Sequence, residues 1–590
     1  MFYLNNAERY YSVKVDRFLD QEDFREINFQ FKKIHLYYDK EIQGWKIPKS
    51  KAWESVQYIT KMLGFTVDLK GIDLPKYFSE NQETVFLRNY SFNPNVLKVN
   101  LFDYQKEDVE WALKRNRGFI ASDPGVGKTI EAISIFSSLY KEGKIDGVLI
   151  LVKNNLTFHW EREILEFSKE FVEEDIIIVT NKNKKTLFEE RSILDKKIII
   201  CPNHLLGNIM DEFSDFSIQF VWNKSDLCLI IDESHEFKNA QAKRTQSLLS
   251  IVDEFEYRYM LSATPAINGF IGWYNQLRML DKSIIPCSEN TFKLDVARYI
   301  GDKYDPYAVK QYDSDKVREY IERFKPWVRK RIKTELPEVK SKQLVKPVYF
   351  QFSHKHEAIY SMVKNLYIEK IKEIDGKITF NEIQNKFPYL CLAIDNPSLL
   401  KDRIKEEDKT LFKPLETLLK NWVLEDNVKI NYLDEFLKDK IKTQKEKVIV
   451  FDTHPLTLDE MFIHYKEYNP LMIHGRTGDS MESRQDKVDK FNDKYSDHKL
   501  FLLNIQTGGT GLNLQKACNT IVFLNLPWDT TLLRQGMDRT YRVTSEKDSF
   551  VEILTYGKTI DDQRCGKSLR RIEFNDNILK DDLDLEVIIN

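Results

Sequence analysis

Two glycines, a lysine and a threonine stand together in Gly125-Val126-Gly127-Lys128-Thr129. They follow the apolar run Gly118-Phe119-Ile120 and precede a helical pattern, Ile130-Glu131-Ala132-Ile133. These residue types in this order suit one task, holding phosphate. Glycines let backbone N–H groups close around phosphate oxygens, and a helix N-terminus adds partial positive charge. Lys128 would hold the β- and γ-phosphates of ATP, and Thr129 would ligate Mg2+. Asp123, Gly125, Val126 and Gly127 share the loop and are expected to face the nucleotide. Ser122 stands where the usual pattern has its first glycine, so the match is confined to the Gly-Lys-Thr end.

A second set of residues could use water. Asp232-Glu233-Ser234-His235 follows the apolar run Leu227-Cys228-Leu229-Ile230-Ile231. Two adjacent carboxylates at the end of a buried strand are costly unless a cation or a reaction uses them. Asp232 would hold Mg2+, and Glu233 would polarise an attacking water as general base. Ser262 and Thr264 follow the next apolar run and could relay hydrogen bonds from this pair to a bound strand. Gln105 lies 23 residues before Lys128, and its amide offers both a donor and an acceptor to adenine. Far along the chain, Arg539 and Arg542 are three apart after Gln535, a spacing that puts them on one helix face. Two guanidinium groups on one face repel unless an anion lies between them, and the γ-phosphate is such an anion.

The elements that must position these groups are buried parallel strands. Gly147–Val152, Lys196–Cys201, Asp226–Ile231 and Tyr259–Leu261 read as near-continuous apolar strands of a sheet covered on both faces. Ligands meet such sheets beyond the strand ends. Lys153 and Asn154 lie at one of these ends, as nucleic-acid contacts or as a plain strand-to-helix loop. Lys447–Phe451 opens a second α/β unit. There Thr507-Gly508-Gly509-Thr510-Gly511-Leu512-Asn513-Leu514 and Trp528 stand at strand ends and are expected to touch a strand or the partner lobe.

A phosphate loop, Asp-Glu-Ser-His and Ser262-Ala263-Thr264-Pro265, in this order, resemble the first RecA-like lobe of superfamily II helicases and translocases. The glycine-rich stretch, the tryptophan and Gln535-x-x-x-Arg539-x-x-Arg542 resemble the Swi/Snf branch, as does the basic linker around Arg329 and Arg331. The resemblance covers about 100 to 560. It implies an α/β fold of two RecA-like parallel-sheet lobes with helical protrusions, beside a small α+β N-terminal domain. The boundaries it implies are a first lobe at 96–325 with a protrusion at about 270–325, and a linker at 326–354. A second protrusion at 355–440, a second lobe at 441–565, and a C-terminal brace and acidic tail at 566–590 follow. It further implies that Lys128, Glu233, Arg539 and Arg542 are catalytic once the lobes close on ATP and Mg2+. Arg329 and Arg331 are then candidates for meeting the opposite lobe or DNA, beside the alternative of a plain basic surface.

Residues 1–95 form a separate module. Its basic pair Lys32-Lys33, then Tyr37-Tyr38-Asp39, then Trp45 and a helix over Ala52–Leu63, resemble the HARP-type domain of fork-remodelling ATPases. That likeness implies phosphate contacts from Lys32, Lys33 and Lys46 and base stacking by Tyr37 or Trp45. A structural cap with a core of aromatics is the alternative.

Composition bounds the rest. At 590 residues the chain is too long for one core. With 42% hydrophobic and 31% charged residues it reads as globular. Six scattered cysteines, none paired as Cys-x-x-Cys, argue against a zinc site or a disulfide framework. A net charge of −3 means that any polyanion must be met by local basic clusters. The start lacks the plan of a signal peptide, and no apolar run suits a membrane, so a cytoplasmic place is expected, within a bacterium or a virus's host. The reading is an ATP-dependent motor on double-stranded, forked or junction DNA, with protein partners left open. A transcription-associated translocase that displaces polymerase and an ATP-gated DNA clamp are the rivals.

Overall fold

The computed structural model describes residues 2–6, 10–15, 21–33, 36–48, 52–63, 66–69, 90–189, 192–212, 226–266, 269–300, 309–373, 380–403, 413–478, 481–508 and 514–577. Two parallel sheets carry the chemistry. The first holds seven strands: β6 (Arg117–Ile120), β7 (Gly147–Val152), β8 (Ile176–Ile178), β9 (Ile198–Pro202), β10 (Leu227–Asp232), β11 (Tyr257–Leu261) and β14 (Val328–Arg329). Their order across the sheet is β14-β6-β11-β10-β7-β9-β8, and every pairing is parallel. Alternation decides which residues go to which face. Leu149, Leu151, Leu229 and Ile231 enter one core, while Val148, Ile150, Cys228 and Ile230 enter the other. Both faces are dry, which is why these strands are apolar throughout.

The second sheet repeats the plan with β15 (Gln343–Phe350), β16 (Val448–Asp452), β17 (Leu471–Ile473), β18 (Leu500–Asn504), β19 (Thr520–Phe523) and β20 (Ser549–Tyr556). Its order is β15-β20-β19-β16-β18-β17, again all parallel. Two RecA-like lobes are thus present.

Several boundaries differ from the sequence reading. The stretch 326–354 is no plain linker, because it gives β14 to the first sheet and the eight-residue β15 to the second. Helix Val428–Leu437, expected in a protrusion, packs Ile430, Leu433 and Leu437 against the second sheet. The described residues of the protrusion at 270–325 include, besides helices, an antiparallel pair, β12 (Ala297–Ile300) and β13 (Val309–Tyr312). The C-terminal helix, Ile560–Asn577, spans the expected boundary at 566 and returns to the first lobe. There Asn575 Nδ2 donates to Ala263 O at 2.9 Å. The acidic stretch 581–586 lies outside the described residues.

The N-terminal domain is a five-stranded sheet, ordered β3 (Tyr37–Asp39), β4 (Gly44–Pro48), β2 (Tyr10–Val15), β1 (Phe2–Asn6) and β5 (Val67–Asp68), with helices Gln21–Lys33 and Ala52–Leu63. Trp45 is 1% exposed and packs edge-on to Phe31 and Tyr38. A ring so enclosed cannot stack on a base, and that expectation is corrected: the indole is core. Lys46 pairs with Asp39, and Lys32 is exposed. The side chains of Lys33 and Tyr37 lie outside the described set. Leu294, Ala297 and Ile300 of the first protrusion join the same core as Val13, Trp45 and Ile59. Lys61 Nζ donates across this seam to the carbonyls of Leu294 and Asp295 at 2.5 and 3.1 Å. The module is therefore docked on the first lobe. No helix among the described residues is long and apolar enough to cross a membrane.

Candidate active site

The phosphate loop is the turn between β6 and helix Lys128–Lys141. Gly125 and Gly127 have φ of +77° and +104°, a region that disfavours side chains. Space forbids them as well: a Cβ on Gly127 would come within 2.2 Å of Gln105 Nε2, and one on Gly125 within 2.8 Å of Arg542 Cγ. The second contact is with the other lobe. Tyr104 Oη and Gln105 Nε2 both donate to Val126 O, at 2.6 and 3.0 Å. Gln105 Oε1 accepts from Phe102 N at 3.0 Å. Gln105 thus pins the loop with one N–H and one lone pair, and it lines the cavity with the other N–H and lone pair uncommitted by these two bonds. Lys128 Nζ donates back to Ser122 O and Asp123 O at 2.8 and 2.9 Å. Burial pulls its pKa below the ordinary lysine value, against the nearby carboxylates led by Glu233.

The carboxylates stand where β10 ends. Asp232 Oδ2 accepts from Trp160 Nε1 at 2.9 Å, and Oδ1 from Glu233 N at 2.9 Å. Burial, then the charge of Glu233, push the Asp232 pKa up. Burial opposes the charge on Glu233 too, but the hydrogen bond and charge of His235, with Lys153 and Lys128 behind, hold its pKa below the usual glutamate value. Glu233 has φ +51° and ψ +50°, a left-handed conformation that costs a non-glycine residue about 1–3 kcal/mol. The turn aims its carboxylate along the sheet edge, with His235 Nδ1 3.1 Å from Oε2. The same nitrogen lies 3.1 Å from Ser262 Oγ, which accepts from Thr264 N at 3.2 Å. Ser262 and Thr264 are thus buried, with Ser262 linked to Glu233 through His235.

The second lobe closes the site. Gln535 Nε2 donates to Glu233 Oε1 at 2.8 Å, and Val543 N to Gly125 O at 3.3 Å. A cavity of about 360 Å3 lies between the lobes, lined by Lys128, Thr129, Asp232, Glu233, Arg539 and Arg542. Burial and mutual repulsion lower the Arg539 pKa, with Arg542 the chief charge against it. The two arginines are not on a helix, as their spacing had suggested. The helix is Thr530–Met537, capped by Asp529, and it stops where Asp538 turns aside to Lys333 and Arg534.

Other expected site residues fall elsewhere. Asp123 does not line the cavity: its Oδ2 accepts from Lys333 N at 2.8 Å at the lobe seam. Lys153 pairs with Glu236 at 3.4 Å, and Asn154 opens a short turn at the β7 end. Trp528 is half-exposed with Arg564 5.3 Å above its ring. Thr507 and Gly508 end a helical turn after β18, and 509–513 lie outside the described residues. Arg329 and Arg331 are held within the first lobe and stay partly exposed, at 31% and 21%. They pair with Asp108 of helix Asp103–Leu113, at 2.6 and 2.7 Å, because that carboxylate is fully buried and needs them. Sequence reading missed Tyr104, Trp160 and Lys333. Each acts through a backbone or carboxylate partner far along the chain, and no local pattern marks it.

Two parallel sheets, a phosphate loop on one and an arginine pair from the other define a two-lobed P-loop ATPase core. The SNF2-related domain matches residues 104–394, and the helicase conserved C-terminal domain matches 428–544. The chain belongs to the Swi/Snf-type branch of the superfamily II helicases and translocases. It is 24% identical to an uncharacterised ATP-dependent helicase of Mycoplasma genitalium, over 91% of this chain and 47% of that protein. It is 24% identical to the chromatin remodelling factor mit1 of Schizosaccharomyces pombe, over 82% of this chain and 33% of that one. It thus spans about half the length, or less, of these curated relatives. The SWI2/SNF2 ATPase core of Sulfolobus solfataricus, solved with double-stranded DNA, aligns at 21% identity with a TM-score of 0.36, over 84% of this chain and 96% of that one.

Proposed function

We propose that this chain is a DNA-dependent ATPase that couples ATP hydrolysis to movement on DNA. The observation that carries the reading is the contact of Gln535 with Glu233, which joins the base of one lobe to the arginine segment of the other. Charge that develops on the γ-phosphate is stabilised only when both lobes meet, so closure gates hydrolysis. Lys128 leaves the loop carbonyls for the phosphates, Glu233 takes a proton from the attacking water, and Arg539 and Arg542 meet the transferred group. An arginine so placed contributes about 10³–10⁵-fold in rate.

The donor set fits Mg2+. Thr129 offers a hydroxyl and Asp232 a carboxylate, both oxygen, and both line the cavity. Among the described residues no group of three or more His, Cys, Asp or Glu could hold a metal alone, so the nucleotide's phosphates would complete the shell. Mg2+ would neutralise charge on the phosphates there.

Relatives named as helicases and chromatin remodelling factors support DNA as the track. A finer task on forks or junctions, in repair, recombination or branch migration, rests on the likeness of the N-terminal module alone. Phosphate contacts should make binding strongly salt-dependent and tolerant of sequence. The test is ATP turnover with no nucleic acid, single-stranded DNA, blunt duplex, a fork, a four-way junction and RNA. Stimulation by DNA with movement along it supports the motor. Greatest stimulation by forks or junctions supports the finer task, and equal stimulation by blunt duplex removes it. Turnover without movement makes the chain an ATP-gated clamp.

A further inference from the structure

One fully enclosed cation lies at the seam outside the residues assigned to hydrolysis. Lys333 is on the linker and is 1% exposed. Its Nζ donates to Asp538 Oδ1 at 2.7 Å and Tyr541 O at 2.6 Å, and lies 4.2 Å from the Tyr541 ring centre. Its backbone N donates to Asp123 Oδ2 at 2.8 Å. Asp123 is two residues before Gly125 in the phosphate loop. Asp538 and Tyr541 directly precede Arg539 and Arg542. One linker residue thus ties the loop of the first lobe to the segment that carries both arginines of the second.

The linker is held in register before it reaches this point. Ala121 N donates to Arg329 O at 2.7 Å, and Asp123 N to Arg331 O at 3.0 Å, so the linker runs beside the loop as an added strand. Beyond Lys333, Arg534 completes the cluster: it lies 2.9 Å from Asp538, 3.2 Å from Asp576 and 3.7 Å from Asp123. Four parts of the chain meet here, the loop, the linker, the arginine segment and the C-terminal helix. Burying an ion pair gains little stability, since desolvation offsets attraction. What such a pair does well is fix one geometry, because only one arrangement leaves every charge partnered.

We propose that Lys333 is a positioning residue for hydrolysis, setting Arg539 and Arg542 against the phosphate loop as the lobes close. The inference rests on the ATPase reading above. In an open arrangement Lys333 and Asp538 would each be hydrated. On closure they pair, and the linker then fixes the arginines whether or not nucleotide is present.

The test uses the full chain with Lys333→Met, which keeps the stem and removes the charge. Dyes on Lys185→Cys in the first lobe and Tyr495→Cys in the second report the distance between lobes, the six native cysteines being buried. Without nucleotide, the variant is expected to shift to longer distances than the parent. With saturating DNA, kcat should fall about tenfold or more while KM for ATP stays within about twofold, the mark of a group that acts at the transition state. Lys333→Arg should regain part of the rate. A folded Lys333→Met protein with parental distance and kcat overturns the proposal, even if its melting temperature falls. If Lys333→Met does not fold, Asp538→Asn, which keeps shape and removes the partner charge, must lengthen the same distance, and a parental distance overturns the proposal. A parent without turnover on any nucleic acid would sink the ATPase reading and, with it, the role in hydrolysis. The distance shift would then still assign Lys333 to closure.

Discussion

Gln535 Nε2 donates to Glu233 Oε1 at 2.8 Å across 302 residues of chain, from the second lobe to the first. The amide reaches the carboxylate only when the two sheets face each other across the cavity. It therefore reports closure at the atom that would take the proton.

Replacing Gln535 with Glu should set two carboxylates face to face. Like charges at this range disfavour contact, so closure should weaken and kcat fall roughly tenfold or more. Nucleotide binding, which depends on the phosphate loop, should change little. Equilibrium binding of a fluorescent ATP analogue beside steady-state turnover separates the two. Unchanged turnover would remove the contact from the mechanism.

Glu233→Gln keeps the size and the hydrogen bonding to Gln535 while removing the base. ATP and DNA should still bind, and turnover should fall about 10²–10⁴-fold. Lys128→Ala should lose ATP binding as well, because it removes the cation of the loop. If Glu233→Gln loses nucleotide instead, the residue is structural.

Deleting residues 1–89 should expose Leu294, Ala297 and Ile300, all 3% exposed or less in the intact protein. Burial of a leucine or isoleucine contributes about 1.5–3 kcal/mol, so the shortened chain should aggregate or melt lower. Size-exclusion chromatography reads this. Changing the three residues to Ser, Thr and Ser in the shortened chain should return a monomer. A shortened chain as soluble as the parent would mean that the seam contributes nothing.

His356 should make the second lobe acid-sensitive. It is fully buried, with Nε2 2.8 Å from Ala393 O and Nδ1 3.2 Å from Tyr556 Oη, and burial pulls its pKa down to about 4. The unfolded value is about 6.5, so the folded lobe binds fewer protons. The contribution is full above pH 6.5 and is lost as pH falls toward 4. Between pH 7 and 5 the loss is about 2 kcal/mol. Melting of the second lobe should drop by a few degrees over this range, and less in His356→Gln. Equal slopes would show that His356 is not the sensor.

How much was legible follows from how far each signal reaches. Helix Ala52–Leu63 and strand Gly147–Val152 were readable to the residue, because periodicity and an unbroken apolar run are local. The helix expected to carry Arg539 and Arg542 ends at Met537, and the next carboxylate, Asp538, is held by Lys333, 205 residues away in the chain. Arg329 and Arg331 looked like surface cations for the same reason: nothing nearby in sequence says that Asp108 is buried beneath them.

The amino-acid sequence by itself determined the two parallel sheets, the phosphate loop, the adjacent carboxylates and the arginine pair. Each depends on residue types at short spacing, which chain connectivity preserves in any fold. Tertiary structure alone decided the left-handed turn at Glu233, the engagement of Gln105 by backbone, the enclosure of Trp45 and the tie through Lys333. The tie through Lys333 joins segments 205 residues apart, chosen by which buried charge needed a partner once both lobes had packed.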